Sequence, residues 1–293
     1  MWLDQRLAAF DGDTPDTERS KVLAYQAILL LIIGAEYWVR AIPRWDTLTP
    51  FFLVSVPLAS LLCVAALHRR IRRPAFALVA LAHGTVIVRE FPAAGNHAYL
   101  ELLLCLLCVL IDPDDADERR LFLRAVRYMV ALIFVYSGIQ KAVHGYYFQG
   151  QFLAHSLWVD SFRPVLALLM PADEYARLAA FSRAVGEGPY IVRSTFFVLL
   201  SNAVWIAEIL LGVLLIVPRT RTLAVFASIA FVAGIEVAAR EVFFGFVFVN
   251  SILLYLPGDV HRRLVVPMAV LLPLLIGILA LAHAGIIPMV RYH

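Results

Sequence analysis

The sequence predicts an all-α fold: a polytopic integral membrane bundle of about nine transmembrane helices, forming one domain over residues 1–293. Three observations lead there. Hydrophobic residues make up 62% of the chain and charged ones 16%, whereas soluble domains are about half apolar and a quarter charged. The mean hydropathy is +0.81. Apolar runs long enough to cross roughly 30 Å of hydrocarbon recur from end to end, and most of the charge falls between them.

Residues 1–20 are polar and acidic, with no small-residue cleavage site after a short apolar core, so they are expected to persist as a cytoplasmic N-terminal segment. Apolar runs of roughly 16 to 25 residues follow at about 21–40, 50–67, 76–92, 97–112, 121–143, 193–217, 222–240, 242–257 and 264–283. HRRIRRP at 68–74, DERR at 117–120 with Arg124, PRTR at 218–221 and HRR at 261–263 all follow even-numbered runs. The excess of arginine places these loops in the cytoplasm, and puts the loops after odd runs and the C-terminus outside. A bacterial inner (plasma) membrane is the expected compartment. The longest connection, 144–192, contains QFLAHSLW and VLALLMPADEYARLAAF, which read as re-entrant or interfacial helices over the outer end of the bundle.

The net charge of +3 is spread over loops without a basic stripe interleaved with aromatics, so the lipid bilayer is the expected partner and nucleic acid is not. Cys63, Cys105 and Cys108 lie inside apolar runs and read as packing residues, although Cys105 and Cys108 share a helix face. No metal site is expected, because the histidines are scattered and no HxxxH, HxxE or cysteine cluster occupies one helix face.

Function is sought among the ionisable residues of the apolar runs: Glu36, His83, Arg89, Glu90, His97, Glu101, Lys141, His144, Glu208, Glu236, Arg240 and Glu241. Each charge in hydrocarbon costs roughly 2.5 to 3.5 kcal/mol, so such groups face the bundle interior, water or one another. By the expected topology, Glu90, His97, Lys141, His144, Arg240 and Glu241 converge on the outer end. Lys141 closes the run YMVALIFVYSGIQ. A lysine there either snorkels to the interface or, having lost hydration, offers a neutral amine as a general base. Arg89 with Glu90 and Arg240 with Glu241 read as interfacial ion pairs, His83 as an interhelical hydrogen-bonding histidine, and Glu208 as a protonated or hydrogen-bonded group between helices.

Two segments carry a resemblance. GNHAYLELLLCLL at 95–107 resembles the Asn-His-x-Tyr-Leu stretch of the vitamin K-dependent γ-glutamyl carboxylases and their bacterial relatives, the HTTM membrane family. VYSGIQKAVHGYYFQGQFLAHSL at 135–157 is similar to that family's Ala-Gly-x-x-Lys…Trp-x-x-Gly pattern, with weaker echoes in YQAILLLIIGAEYW and IAEILLGVLLIVPRTR. The resemblance implies that Lys141 is the base that deprotonates a reduced quinone (menaquinol or vitamin K hydroquinone-like) so that dioxygen can add, with His97 beside the reacting centre. In that chemistry the oxygenated quinol yields the quinone epoxide and a strong base that takes a γ-proton from glutamate, and carbon dioxide traps the carbanion. Asn96, Tyr99, Gln140, His144 and Glu208 complete the candidate substrate-binding set, with Tyr99 expected as an aromatic wall.

The departures are also legible. The carboxylases have a large lumenal domain after the membrane part, which is not seen in this sequence, so carboxylation of a protein precursor by this chain alone is not expected. Tyr147 or Phe148 stands where the family has tryptophan, and Glu236 where it has histidine. The substrate is therefore expected to differ from that of the carboxylases, while a lipophilic quinone-like molecule stays the small-molecule partner that the resemblance implies, with the second substrate left open. Two other classes stand beside the enzyme. One is a non-catalytic membrane subunit of a peptide-processing or quinone-linked complex, with a separately encoded protein partner. The other is a small-molecule transporter, which a full-depth string of charges and an inverted repeat would favour.

Overall fold

The computed structural model of the chain describes residues 13–41, 50–91, 96–158, 163–179, 192–239 and 242–283. The described residues form helices joined by turns and short irregular segments, with no strand among them. In chain order the α-helices are α1 (Pro15–Ala41), α2 (Pro50–Leu67), α3 (Arg69–Glu90), α4 (Asn96–Leu110), α5 (Ala116–His144), α6 (Gln151–His155), α7 (Arg163–Leu169), α8 (Ala172–Ala179), α9 (Thr195–Ile216), α10 (Arg221–Ala239), α11 (Val242–Leu253) and α12 (Gly258–His283). Four stretches are long and apolar enough to cross a membrane: Pro15–Val39, Arg69–Arg89, Ala116–His144 and Thr195–Ile216.

The chain divides into two compact units, one of residues 1–127 and 243–290, the other of 128–242 and 291–293. In the first, α1 packs on α2 and α12, and α3 on α4. Gly34 lets α1 approach α2 closely, since a Cβ there would lie 3.3 Å from the Ala59 carbonyl oxygen. The core of this unit is sealed by polar ties as well as apolar burial. The Tyr25 and Ser251 hydroxyls lie 3.2 Å apart, and Asn250 Nδ2 donates to the Tyr25 carbonyl at 3.2 Å. In the second unit, a small apolar core of Ala154, Leu157, Leu166, Met170, Leu178 and Phe197 unites the short helices with the start of α9.

The basic runs read as loops from sequence are largely the first turns of helices. HRRIRRP opens α3, with His68 as its extended N-cap, and DERR lies in the opening turns of α5, whose amides at Asp117 and Glu118 both bond to Asp115 Oδ1 at 2.9 Å. Arginine is a good helix former, and its long side chain reaches back from such a turn to the unsatisfied carbonyls at neighbouring helix C-termini. Arg72 donates to the carbonyls of Ala65 and Ala66, which end α2, at 3.3 and 2.6 Å. Arg73 reaches Val109 at the end of α4 at 2.6 Å. Arg127 takes the Leu254 carbonyl at 2.9 Å, and Lys21 the Leu256 carbonyl at 2.6 Å. In the second unit Arg221 takes the Leu215 carbonyl at 3.3 Å.

Two further boundaries differ from the sequence reading. The stretch VLALLMPADEYARLAAF is broken into α7 and α8 at Pro171, whose ring and missing N–H are incompatible with a continuous helix. The run 242–257 is helical only to Leu253, because residues 254–256 close in tight turns whose carbonyls Arg127 and Lys21 satisfy.

Candidate functional site

A well-formed polar cluster inside an apolar stretch lies in the second unit, where α5 meets α9. Ser137 and Lys141 are one turn apart on α5 and face Glu208 on α9. Lys141 Nζ donates to both carboxylate oxygens of Glu208, at 2.5 and 2.7 Å, and to Ser137 Oγ at 2.7 Å. Ser137 Oγ in turn lies 3.2 Å from Glu208 Oε1. The Glu208 side chain is 6% exposed and that of Lys141 22%. The carboxylate is therefore sealed behind an amine that can still be reached.

Two glycines bring the helices close enough for this contact. A Cβ on Gly138 would lie 2.7 Å from the Trp205 carbonyl oxygen and 2.6 Å from Ile209 Cγ1, and one on Gly212 would lie 2.7 Å from Val135 Cγ2 and 2.9 Å from the Ala131 carbonyl oxygen. Glycine at such a crossing permits backbone approach that no other residue allows. Gly212 sits one turn after Glu208, on the same face.

The C-terminus of α5 then turns back over the pair. Gly145, with φ 71°, adopts the left-handed conformation and donates to the Lys141 carbonyl at 3.2 Å, which caps the helix. The turn carries Tyr147 inward, where Ser201 Oγ donates to its carbonyl at 2.8 Å and its ring stacks on Phe152 at 4.8 Å. Lys141 Nζ lies 5.7 Å from the centre of that ring, within reach of a cation–π attraction. Burial, then the nearby Glu208 carboxylate, push the Tyr147 phenol well above its ordinary range, so the ring is a neutral wall rather than a source of phenolate. Phe148 meets Trp205 edge-on at 5.8 Å, and Asn202 Nδ2 holds the Phe148 carbonyl at 3.0 Å.

Lys141 and Glu208 are thus brought together, but not all of the expected set joins them. Gln140 is exposed and bonds to the Tyr136 hydroxyl at 2.9 Å, on a face of α5 apart from the pair. His144 is exposed at the end of α5, its ring parallel to Tyr146 at 6.4 Å. Asn96, His97 and Tyr99 lie in the opening turns of α4, in the first unit; Tyr99 is half-buried, and the side chains of Asn96 and His97 lie outside the described residues. Arg240 and Glu241, and the side chain of Glu90, also lie outside them. Sequence reasoning passed over Ser137, Gly212 and Tyr147 as site members, although the four-residue spacings 137/141 and 208/212 carried the signal for the first two.

A second buried cluster occupies the first unit. His83 Nδ1 on α3 faces Glu101 Oε2 on α4 at 3.3 Å, and the His83 ring meets Tyr37 at 6.1 Å. His83 is thus brought against an acidic side chain of the neighbouring helix, an ion-pair approach in place of the interhelical hydrogen bond expected of it. Among the described residues, no group of three or more His, Cys, Asp or Glu side chains is placed to hold a metal ion. No protein-family model matches the chain, and no curated protein or solved structure matches it either.

Proposed function

We propose that this chain is a nine-span membrane enzyme in which Lys141 removes a proton from a lipophilic hydroquinone, with Glu208 as the group that first takes up the lysine's own proton. The observation that carries this reading is a reachable amine backed by a sealed carboxylate at 2.5 and 2.7 Å. The pair holds one proton in two arrangements, ammonium with carboxylate or amine with carboxylic acid. In the second arrangement the Lys141 amine accepts the hydroquinone's hydroxyl proton, Ser137 keeps Nζ oriented, and Tyr147 gives a flat ring a wall to lie against. Dioxygen would supply the oxidising chemistry, as the resemblance at Gly138–Lys141 implies. The topology that goes with this reading has a cytoplasmic N-terminus and an extracytoplasmic site.

The test is aerobic turnover of menaquinol or vitamin K hydroquinone by the full chain in nanodiscs, with mass spectrometry for an epoxide or hydroxylated quinone. Lys141→Ala and the charge-retaining Lys141→Arg should each lower product formation by about 100-fold or more. A folded parent that makes no product from either quinol, or a Lys141→Ala variant that turns over like the parent, overturns the proposal.

The salt bridge itself favours a second reading, a non-catalytic membrane subunit in which Lys141–Glu208 ties α5 to α9. The discriminating variant is Lys141→Met/Glu208→Leu. It replaces the ion pair with an apolar contact of similar volume between the same helices and removes the proton chemistry, so a functional double variant would favour the subunit.

A further inference from the structure

The first unit contains a cavity of about 500 Å³ where the opening turns of α1 and α12 come together, within the size range of small-molecule sites, ~300–1,000 Å³. Its walls are chemically specific. His261, which precedes the apolar stretch 264–283, lines it with only 3% of its surface exposed, and its Nε2 is buried without a hydrogen-bond partner among the described residues. Burial, then the positive charge of Lys21, push this imidazole down to about 4, so at neutral pH it can share a hydrogen bond but carries no charge. A buried polar nitrogen left unsatisfied is costly, and a cavity occupant can supply the missing partner.

The charges around the cavity identify the occupant's chemistry. Lys21 is already neutralised by Asp13 and bonded to the Leu256 carbonyl. Arg262, Asp16 and Asp259 also line the cavity, are exposed, and form no ion pair among the described residues. One free guanidinium against two free carboxylates disfavours a simple anion and a simple apolar molecule alike. It suits a group with an anionic and a cationic end. Val265 and Val266 add apolar surface to this polar lining.

We propose that the cavity binds a phosphoethanolamine group, its phosphate held by Arg262 and His261 and its ammonium by Asp16 and Asp259. The group can arrive as the headgroup of phosphatidylethanolamine or as the free soluble compound, and the experiment separates the two.

The full chain is purified in detergent, exchanged into mixed micelles containing phosphatidylethanolamine or phosphatidylglycerol, and read by native mass spectrometry. One phosphatidylethanolamine per chain should be retained, about fivefold or more above phosphatidylglycerol, and Arg262→Met should remove that preference. His261→Leu should lower retention by a similar factor while His261→Asn, which keeps a hydrogen-bonding group, should restore it. Displacement by soluble O-phosphoethanolamine identifies the free compound as the occupant, and resistance to it identifies the lipid. Equal retention of the two lipids, or retention by Arg262→Met like that of the parent, overturns the proposal. Arg262 is exposed, so its variant tests the site even where a His261 variant fails to fold.

Discussion

Lys141 and Glu208 have unequal access to water, and that asymmetry sets what each substitution does. Glu208→Gln leaves the lysine ammonium without a counter-charge, and Lys141→Met leaves a carboxylate that is 6% exposed. Removing one member of a buried pair costs about 3 kcal/mol, whereas replacing both with apolar residues is close to neutral. We expect each single variant to lose about that much in denaturant unfolding in detergent and Lys141→Met/Glu208→Leu to recover most of it; single variants within about 0.5 kcal/mol of the parent would show that the pair holds nothing. Glu174 gives a second residue-scale prediction. It lies outside the apolar runs, accepts both Arg177 donors, and also takes the Arg193 amide at 2.6 Å. The Arg177 hydrogen bonds, opposed in part by burial, hold its carboxyl below the ordinary 4.5. A depressed folded value means that the contribution is present above 4.5 and lost as pH falls through the lowered value. Protection of the Arg193 amide against hydrogen exchange, taken relative to the intrinsic rate at each pH, should therefore fall as pH drops from neutral to about 3, and Glu174→Gln should abolish that step. Lys141 and Glu208 were each legible in the sequence as ionisable groups in apolar runs. Their contact was not, because nothing in a linear chain fixes the register between α5 and α9.

Helix contacts explain why that register holds. Gly138 was legible as part of a Gly-x-x-Lys motif, but the structure also makes it a point of backbone contact, mirrored by Gly212. Gly138→Ala and Gly212→Ala should each destabilise the α5–α9 packing by about 1–3 kcal/mol, because the new methyl meets a carbonyl oxygen that cannot retreat cheaply. A thermal midpoint unchanged in both variants would argue against the close crossing. Helix ends yield a separate prediction. Arg72 serves the carbonyls of Ala65, Ala66 and Leu23, so Arg72→Met should cost about 2 kcal/mol in the same unfolding measurement, and Arg72→Lys, a single point donor, should recover only part of it. The apolar periodicity made the long helices readable, while the ends moved by several residues. Arginines counted as loop residues are spent on carbonyls, a use that hydropathy does not register.

On the scale of the whole molecule, the all-helical character was legible because composition and run length leave few alternatives. The division into two compact units was not, since the boundary at 127/128 falls inside the unbroken helix α5. The topology proposed here can be tested across one helix. In a variant with Cys63, Cys105 and Cys108 changed to serine, a membrane-impermeant maleimide applied from outside should label Phe91→Cys and not Arg70→Cys, residues at opposite ends of α3. Labelling of both, or the reverse pattern, would refute the orientation.

The closeness of Lys141 to Glu208 also bears on the membrane's voltage. Moving one elementary charge across a full bilayer changes energy by ~2.3 kcal/mol per 100 mV. A proton passing between Nζ and Oε1 travels at most 2.5 Å, a small part of the ~30 Å of hydrocarbon, so that transfer is biased by no more than ~0.2 kcal/mol per 100 mV. On the proposed mechanism, the proton would change hands in a fully energised membrane almost as it would in a de-energised one.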